Sequence, residues 1–298
     1  MVRQIYYRGS LRFCNYSCGY CPFSKEKKSQ RQLEEDERAL FRFVERIGQK
    51  KFAGAIQIVP YGEALIHQYY WRALAKLSRL PQIEAVGAQS NFSFSVEQML
   101  GEFEKAGGEK EKLRLWGTFH PDMVSEQDFL GVCHELKEAG ILFCAGAVGV
   151  PENVSLLLRI REKLDPTVYF WINKMEGLGR KYSREEIQAF SGLDPYFPLE
   201  LRHYRADATH CGSALFCDSK GDVYACNRCR RRSGNLYTED PGEALSHISG
   251  DDRICDRREC DCYISYCNRD DLKEMAAFGP YPAFRIPDIA ADQLFSTV

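Results

Sequence analysis

Short apolar segments alternate with amphipathic helical patterns from the first residues to about position 190. Six of these segments are predicted strands, near Gln4–Leu11, Ala55–Gly62, Ile83–Asn91, Leu113–Phe119, Ile141–Val150 and Val168–Met175. Between the first two, Leu33, Leu40, Val44 and Ile47 recur at steps of three, four and seven, which predicts one apolar helix face. Strands that alternate with helices are typical of a parallel sheet with helical crossovers, so we expect an α/β fold.

The composition is that of an ordinary globular protein, with 44% hydrophobic and 28% charged residues among 298. A net charge of -2 argues against a protein that binds nucleic acid through bulk positive charge. No apolar run approaches the about 20 residues of a membrane span, and the N-terminus lacks a signal-peptide core. We therefore expect a cytoplasmic protein with no membrane partner, in which the 13 cysteines are reduced and available as metal ligands.

Three of these cysteines, Cys14, Cys18 and Cys21, lie within eight residues directly after the first predicted strand. Three thiolates on one tight loop can bind three irons of a [4Fe-4S] cluster and leave the fourth iron open. A structural zinc ion needs a fourth ligand, which this loop lacks. The remaining alternatives are a zinc knuckle completed from elsewhere and a cluster of buried thiols.

The spacing C-x3-C-x2-C, with the aromatic Tyr20 before the last cysteine, resembles the radical SAM superfamily. The resemblance implies that S-adenosylmethionine (AdoMet) chelates the open iron and is cleaved reductively to a 5′-deoxyadenosyl radical. It also implies a partial (β/α)6 barrel, which matches the count of six βα units, and a reductant such as flavodoxin or ferredoxin.

In parallel α/β barrels the active site lies at the carboxyl ends of the strands. Gly62 and Glu63 follow the second strand where the superfamily commonly carries Gly-Gly-Glu-Pro, so the resemblance implies that Glu63 and neighbouring backbone carbonyls bind the AdoMet ammonium. The alternative is a solvated acid in a βα loop. Ser90 and Asn91 end the third strand, in a position resembling the polar strand end that faces the AdoMet carboxylate or ribose.

The fourth and fifth predicted strands also end in candidate ligand contacts. Thr118 and His120 follow the fourth strand and are candidates for a ribose or substrate contact, although the histidine could equally cap the next helix or be satisfied in the core. The segment Ala145–Val150 resembles the adenine-facing strand of the family, which assigns Val148 and Gly149 to AdoMet. Its small residues could instead relieve crowding in the barrel.

Beyond residue 190 the alternation stops, and the turn formers of Ser191–Pro198 mark a boundary. We expect a barrel over 1–190 and a second module over 191–298. Eight cysteines follow the boundary and are candidate metal ligands: Cys211, Cys217, Cys226, Cys229, Cys255, Cys260, Cys262 and Cys267. The first part of the module reads as a β-hairpin with its turn at Asp218–Gly221.

This module resembles the SPASM and twitch extensions of radical SAM enzymes, which carry auxiliary iron-sulfur clusters. Its second half departs from the SPASM spacing, so the resemblance implies either one or two auxiliary [4Fe-4S] clusters. A single twitch-like cluster would use Cys211, Cys226, Cys260 and Cys262. Two zinc ions in a ribbon are the structural alternative.

Extensions of this kind commonly accompany peptide modification. The resemblance therefore favours an oxidative change to a peptide or amino-acid-derived substrate, with an auxiliary cluster accepting an electron or binding the substrate. Radical sulfur insertion is a second enzymatic possibility. A metal-binding or electron-transfer scaffold without catalysis is the non-enzymatic one.

Overall fold

The structure is a computed structural model that describes residues 3–23, 26–27, 29–49, 52–205, 214–239, 259–260, 262, 269, 272–288 and 293–294. The strands are β1 (Gln4–Gly9), β2 (Gly54–Ile58), β3 (Ile83–Ser90), β4 (Leu113–Gly117), β5 (Leu142–Gly149), β6 (Phe170–Lys174), β7 (Tyr204–Arg205), β8 (Ala214–Asp218), β9 (Asp222–Tyr224), β10 (Gly234–Asn235) and β11 (Glu259–Cys260). The helices are α1 (Gln30–Gly48), α2 (Gln68–Ser78), α3 (Val96–Lys105), α4 (Glu126–Glu138), α5 (Val154–Lys163), α6 (Arg184–Leu193) and α7 (Phe197–Leu201). Short 3-10 helices cover Lys110–Lys112, Pro151–Asn153, Lys273–Phe278 and Pro282–Phe284.

Nine of the described strands form one sheet in the order β10-β9-β8-β1-β2-β3-β4-β5-β6. The six strands from β1 to β6 are parallel to one another, and each is joined to the next through at least one helix. The α/β class and all six predicted strands are confirmed. Several of these strands were predicted to extend further than they do. β1, for example, stops at Gly9, whose φ of +63° takes the backbone out of the extended region.

Helices cover one face of this sheet. Side chains alternate between the two faces of a strand, and Ile5, Tyr7, Ile56 and Ile58 point toward the helical layer. They pack with the apolar face of α1 in the largest buried cluster of the protein. Among the described residues, no helix combines the length and the hydrophobicity that a membrane span requires.

The other face of the sheet is filled near its middle by the C-terminal segment Leu272–Asp288. Phe284 packs against Ala55 of β2 and Ala85 of β3. The fully buried Arg285 lies over the rings of Trp116 and Trp171, at 4.5 and 5.3 Å from their centroids. Helices on one side and a folded-back tail on the other explain how a curved, incomplete barrel obtains a core on both faces.

The predicted hairpin is confirmed, since β8 and β9 pair antiparallel around a turn in which Gly221 has a φ of +83°. The Asp218 carboxylate accepts hydrogen bonds from the backbone N–H groups of Lys220 and Asp222, which shapes the turn. β8 also pairs in parallel with β1, so the hairpin extends the sheet of the barrel. The division into 1–190 and 191–298 stays a prediction.

Candidate active site

An open cavity of about 130 Å³ lies at the carboxyl ends of β1 to β4. It is lined by Cys14, Tyr16, Cys18, Cys21, Phe23, Pro60, Tyr61, Gly62, Glu63, Gln89, Ser90, Asn91, Thr118 and His120. The three loop cysteines therefore share one cavity with the predicted strand-end residues of β2, β3 and β4.

The cysteine loop is held against the end of β2 by backbone hydrogen bonds. Gly62 N donates to Leu11 O at 3.0 Å, and Glu63 N donates to Phe13 O at 2.9 Å. A Cβ atom at Gly62 would lie 2.1 Å from Phe13 O, so a residue without a side chain is required here. The Gly-Glu pair thus has a structural role in addition to the predicted contact with AdoMet.

Glu63 is buried, and its carboxylate is held by three donors of the chain. Oε1 accepts from Leu65 N and Ser90 Oγ, and Oε2 accepts from Asn91 N at 2.7 Å. Burial raises the pKa of Glu63 to about 7, although these three hydrogen bonds act in the opposite direction. A carboxylate has about four acceptor positions, so one remains for a cation in the cavity.

Asn91 connects this carboxylate to the first cysteine. Its backbone N–H bonds Glu63, while its side-chain Nδ2 lies 3.8 Å from Cys14 Sγ and donates to Asn15 Oδ1 at 3.0 Å. Tyr16 N donates to Cys14 Sγ at 3.3 Å. Burial raises the pKa of the Cys14 thiol to about 11, so the thiolate would form only as a metal displaces the proton.

Cys18 and Tyr20 meet His120, which comes from the loop after β4. His120 Nδ1 lies 2.7 Å from Tyr20 Oη and 3.3 Å from Cys18 Sγ. Desolvation lowers the pKa of His120 to about 4, which keeps the imidazole neutral. His120 lines the cavity. Thr118 lines the same cavity, and its N–H donates to Ser90 O.

A second cavity adjoins the first and shares Cys21, Phe23 and His120 with it. Its remaining lining residues are Tyr20, Pro22, Val148, Asn173, Lys174 and Glu176. Val148 therefore lines the second cavity, whereas Gly149 lines neither cavity and its carbonyl accepts from Tyr182 Oη. Asn173 and Lys174 were not predicted, although their place at the end of β6 was a usable signal.

The described C-terminal cysteines are distributed over two faces of the sheet. Cys226 Sγ and Cys229 Sγ are 3.5 Å apart, and Cys262 Sγ lies 3.7 Å from the side chain of the intervening Asn227. Cys217 is 1% exposed and packs with Tyr7 on the helical face, whereas Cys226 packs with Phe216 on the opposite face. The structure therefore does not bring Cys217 to Cys226.

Cys260 lies in β11, opposite Tyr204 of β7. Cys211, Cys255 and Cys267, also predicted as ligands, lie outside the described residues. Within the described part of the chain, no group of three or more His, Cys, Asp or Glu side chains is arranged to hold a metal ion. The predicted auxiliary ligand sets stay predictions.

The donor set of the loop fits a [4Fe-4S] cluster better than a single ion. Cys14, Cys18 and Cys21 form no disulfide among the described residues and line one cavity. A cubane cluster takes each thiolate on a different iron, so its ligands do not have to converge on one point as they do around zinc. The neighbouring polar groups of Glu63, Asn91 and His120 face the same space.

The chain matches no protein-family model and no curated protein sequence. Several solved structures are similar to it. Native anSMEcpe with bound AdoMet and Kp18Cys peptide has a TM-score of 0.57 at 12% identity, over 82% of this chain and 80% of that one. The same enzyme with AdoMet and Cp18Cys peptide has a TM-score of 0.56 at 12% identity, over 82% and 80%.

Streptococcus suis SuiB bound to S-adenosylmethionine has a TM-score of 0.53 at 12% identity, over 84% of this chain and 64% of SuiB. These proteins are radical SAM enzymes. At such identities the likeness establishes the fold, and it confirms the expected partial barrel.

Proposed function

We propose that this chain, which has the radical SAM fold, is a radical SAM enzyme that holds a [4Fe-4S] cluster on Cys14, Cys18 and Cys21. The observation that carries the proposal is the shared cavity, in which the three thiols meet Glu63 and the strand ends of β3 and β4. When bound, the cluster supplies the electron that cleaves AdoMet to a 5′-deoxyadenosyl radical.

The residues around the cysteines bind and orient AdoMet in this proposal. The remaining acceptor position of Glu63 and the backbone near Gly62 receive the ammonium group. Ser90, Asn91 and Thr118 offer polar contacts to the carboxylate and the ribose. AdoMet would extend past His120 into the second cavity, where Tyr20 and Val148 enclose the adenine.

We assign one or two auxiliary iron-sulfur clusters of the twitch or SPASM kind to the C-terminal cysteines. The 3.5 Å separation of Cys226 Sγ and Cys229 Sγ supports this assignment, and Cys262 contacts the side chain of Asn227 between them in the sequence. Cys217 is a weak candidate, because it lies in the apolar core and burial raises its pKa well above the ordinary value. The basic residues beside this site include Arg228, which pairs with Glu176 at the rim of the second cavity.

The substrate we propose is a peptide or an amino-acid-derived molecule that undergoes oxidation, with flavodoxin or ferredoxin as the electron donor in the cytoplasm. The peptides bound in the anSMEcpe structures support this class of substrate. Abstraction of a hydrogen atom from the substrate would yield 5′-deoxyadenosine and a substrate radical, which loses one further electron and a proton. The auxiliary cluster would accept that electron.

Anaerobic reconstitution tests the first part of the proposal. The reduced protein should give a [4Fe-4S] paramagnetic resonance signal that changes when AdoMet is added, and 5′-deoxyadenosine should accumulate. The Cys18→Ala variant is the control and should show neither effect. A wild-type protein that loads iron and sulfide but never cleaves AdoMet under reduction contradicts the proposal.

Deuterium transfer tests the class of substrate. Peptides with deuterium at carbon positions are incubated with the reduced protein and AdoMet, and 5′-deoxyadenosine is examined for deuterium. A product lighter by two hydrogens supports oxidation. A labelled 5′-deoxyadenosine that forms only with non-peptide metabolites contradicts the peptide assignment and leaves the AdoMet chemistry intact.

A further inference from the structure

Three side chains from two segments meet at the second cysteine of the loop. Cys18 is 5% exposed, and its Sγ lies 3.3 Å from Nδ1 of His120. The same Nδ1 lies 2.7 Å from the hydroxyl of Tyr20, which is also within hydrogen-bonding reach of the Cys18 thiol. Neither Cys14 nor Cys21 has a described contact with a ring nitrogen, so this contact distinguishes Cys18 from the other two cysteines.

The ring of His120 is held in place by two tyrosines. Tyr20 lies nearly parallel to it at 6.0 Å between centroids, and Tyr16 meets it edge-on at 5.9 Å. Both tyrosines belong to the cysteine loop, whereas the histidine is anchored after β4. A nitrogen held from a separate element keeps its position relative to the thiol without depending on the loop alone.

The chemistry of a ligating cysteine determines the direction of these hydrogen bonds. A thiolate bound to iron can only accept, whereas a tyrosine hydroxyl donates and accepts, and an imidazole N–H donates. When Nδ1 of His120 carries the proton, the donor to sulfur is either Nδ1–H directly or the Tyr20 hydroxyl, which in turn accepts from Nδ1–H. Each arrangement places one donated hydrogen bond on Cys18 Sγ.

We propose that Tyr20 and His120 together donate a hydrogen bond to the Cys18 thiolate and thereby raise the reduction potential of the loop cluster. The inference rests on the proposed function. Hydrogen bonds to the sulfur atoms are among the factors that set the potential of an iron-sulfur cluster. The reduced cluster carries one more negative charge, and a donor to sulfur stabilises that state more than the oxidised one. Tyr20 and His120 are positioning residues in this sense.

The test is a redox titration of the reconstituted protein. The reduction potential is monitored through the paramagnetic resonance signal of the cluster that changes when AdoMet is added. Tyr20→Phe keeps the ring and removes the hydroxyl. His120→Leu removes the nitrogen, and His120→Asn restores an amide near the position of Nδ1. Tyr237→Phe is the matched control, because the buried Tyr237 hydroxyl has no hydrogen-bond partner among the described residues and packs by Gly221 of the hairpin.

We expect Tyr20→Phe and His120→Leu to shift the potential to more negative values with unchanged iron content. His120→Asn should recover part of the shift, and Tyr237→Phe should leave the potential unchanged. The double variant Tyr20→Phe/His120→Leu should shift the potential no further than the larger single effect, because both groups serve one hydrogen bond.

Unchanged potentials in both single variants, with the cluster loaded, overturn the inference and leave the proposed function standing. Equal shifts in His120→Leu and His120→Asn overturn it as well, because they would reflect altered packing. If His120→Leu does not bind its cluster, the reduction potentials of Tyr20→Phe and His120→Asn test the inference instead. A wild-type protein without any loop cluster refutes the proposed function and this inference together.

Discussion

The cysteine loop after β1 and the cysteines of the C-terminal region place the same side chain in two different settings. Cys14, Cys18 and Cys21 are close in sequence, lie on one loop and line one cavity. The described C-terminal cysteines come from separate strands and turns. Cys217 faces the helical core, while Cys226 lies on the opposite face of the same sheet.

The comparison shows when the spacing of cysteines in the sequence is enough to predict which thiols come together. In the loop, eight residues leave little freedom, so a motif that resembles a known family already predicts which thiols meet. In the C-terminal region, strand pairing determines which thiols can come together, because alternate residues of a strand point to opposite faces of the sheet. Cys217 of β8 and Cys226 after β9 are therefore separated by the sheet, although the hairpin brings their strands together.

The largest expected effect comes from removing the cysteines of the loop while leaving those of the C-terminal region in place. Changing all three loop cysteines to alanine should abolish AdoMet cleavage and remove one [4Fe-4S] cluster, because no other described thiol lines that cavity. Iron bound by the C-terminal region should remain. Iron and sulfide analysis with a 5′-deoxyadenosine assay measures both. Undiminished 5′-deoxyadenosine formation would show that the loop does not hold the catalytic cluster.

The second prediction moves the loop without changing a ligand. In Gly62→Ala the new Cβ would lie 2.1 Å from Phe13 O, so the loop must shift and the two backbone hydrogen bonds to Gly62 and Glu63 weaken. At about 1 kcal/mol each, their loss corresponds to a decrease of AdoMet affinity of roughly tenfold or more. Calorimetric titration of the reconstituted protein measures it.

Gly101→Ala is the matched control, because Gly101 lies in α3 and nothing approaches within 4 Å of a Cβ there. Alanine is favoured over glycine in a helix, so this variant should retain affinity and be slightly stabilised. If both variants bind AdoMet as the wild type does, the contact between the loop and β2 is not needed for binding.

The sequence predicted the strands, the hairpin and the set of strand ends that share the cavity. Periodicity locates strands because burial repeats every second residue, and parallel strands must end at the same edge. The contact of His120 with Cys18 was not predictable, because it depends on the path of the chain after β4. The hydrogen bonds of the Glu63 carboxylate were not predictable either, because their donors, Ser90 and Asn91 at the end of β3, are far away in sequence.

The position of Arg285 is the clearest case of structure without a sequence signal. This arginine is fully buried in the barrel, where it pairs with Glu200 at 3.2 Å and donates to Asn173 at 2.7 Å. Charged residues are normally exposed, and no periodic pattern surrounds this one in the C-terminal segment. Only the folding back of the tail brings Arg285 over Trp116 and Trp171 and next to these partners from β6 and α7.

The third prediction concerns the charge opposite the loop. Glu63→Gln removes the carboxylate proposed to bind the AdoMet ammonium, so affinity should decrease about tenfold, as expected for a hydrogen bond to a charged group. Because the pKa of Glu63 is raised to about 7, wild-type affinity should increase as the pH rises through 7. The variant should lack this dependence, and calorimetry at several pH values measures it.

The stability of the unliganded protein should show the opposite trend with pH. The folded state keeps the Glu63 proton up to about pH 7, whereas the unfolded chain releases it near its ordinary pKa of 4.5. The contribution to stability is therefore present below pH 4.5 and is lost as the pH rises through 7. Urea unfolding of wild type and Glu63→Gln should differ in this interval. Parallel pH profiles would show that Glu63 is already ionised at low pH.

The smallest expected effect separates the two kinds of C-terminal cysteine. Cys217→Ala removes a buried sulfur from the core, which should lower the free energy of unfolding by about 1 kcal/mol and leave the iron content unchanged. Cys226→Ala/Cys229→Ala should lower the iron content instead. Neither variant should impair AdoMet cleavage without substrate, because radical generation needs only the loop. Denaturant unfolding, iron analysis and 5′-deoxyadenosine formation measure the three quantities. If Cys217→Ala loses as much iron as the double variant, Cys217 is a ligand and this face of the sheet must open to admit a cluster.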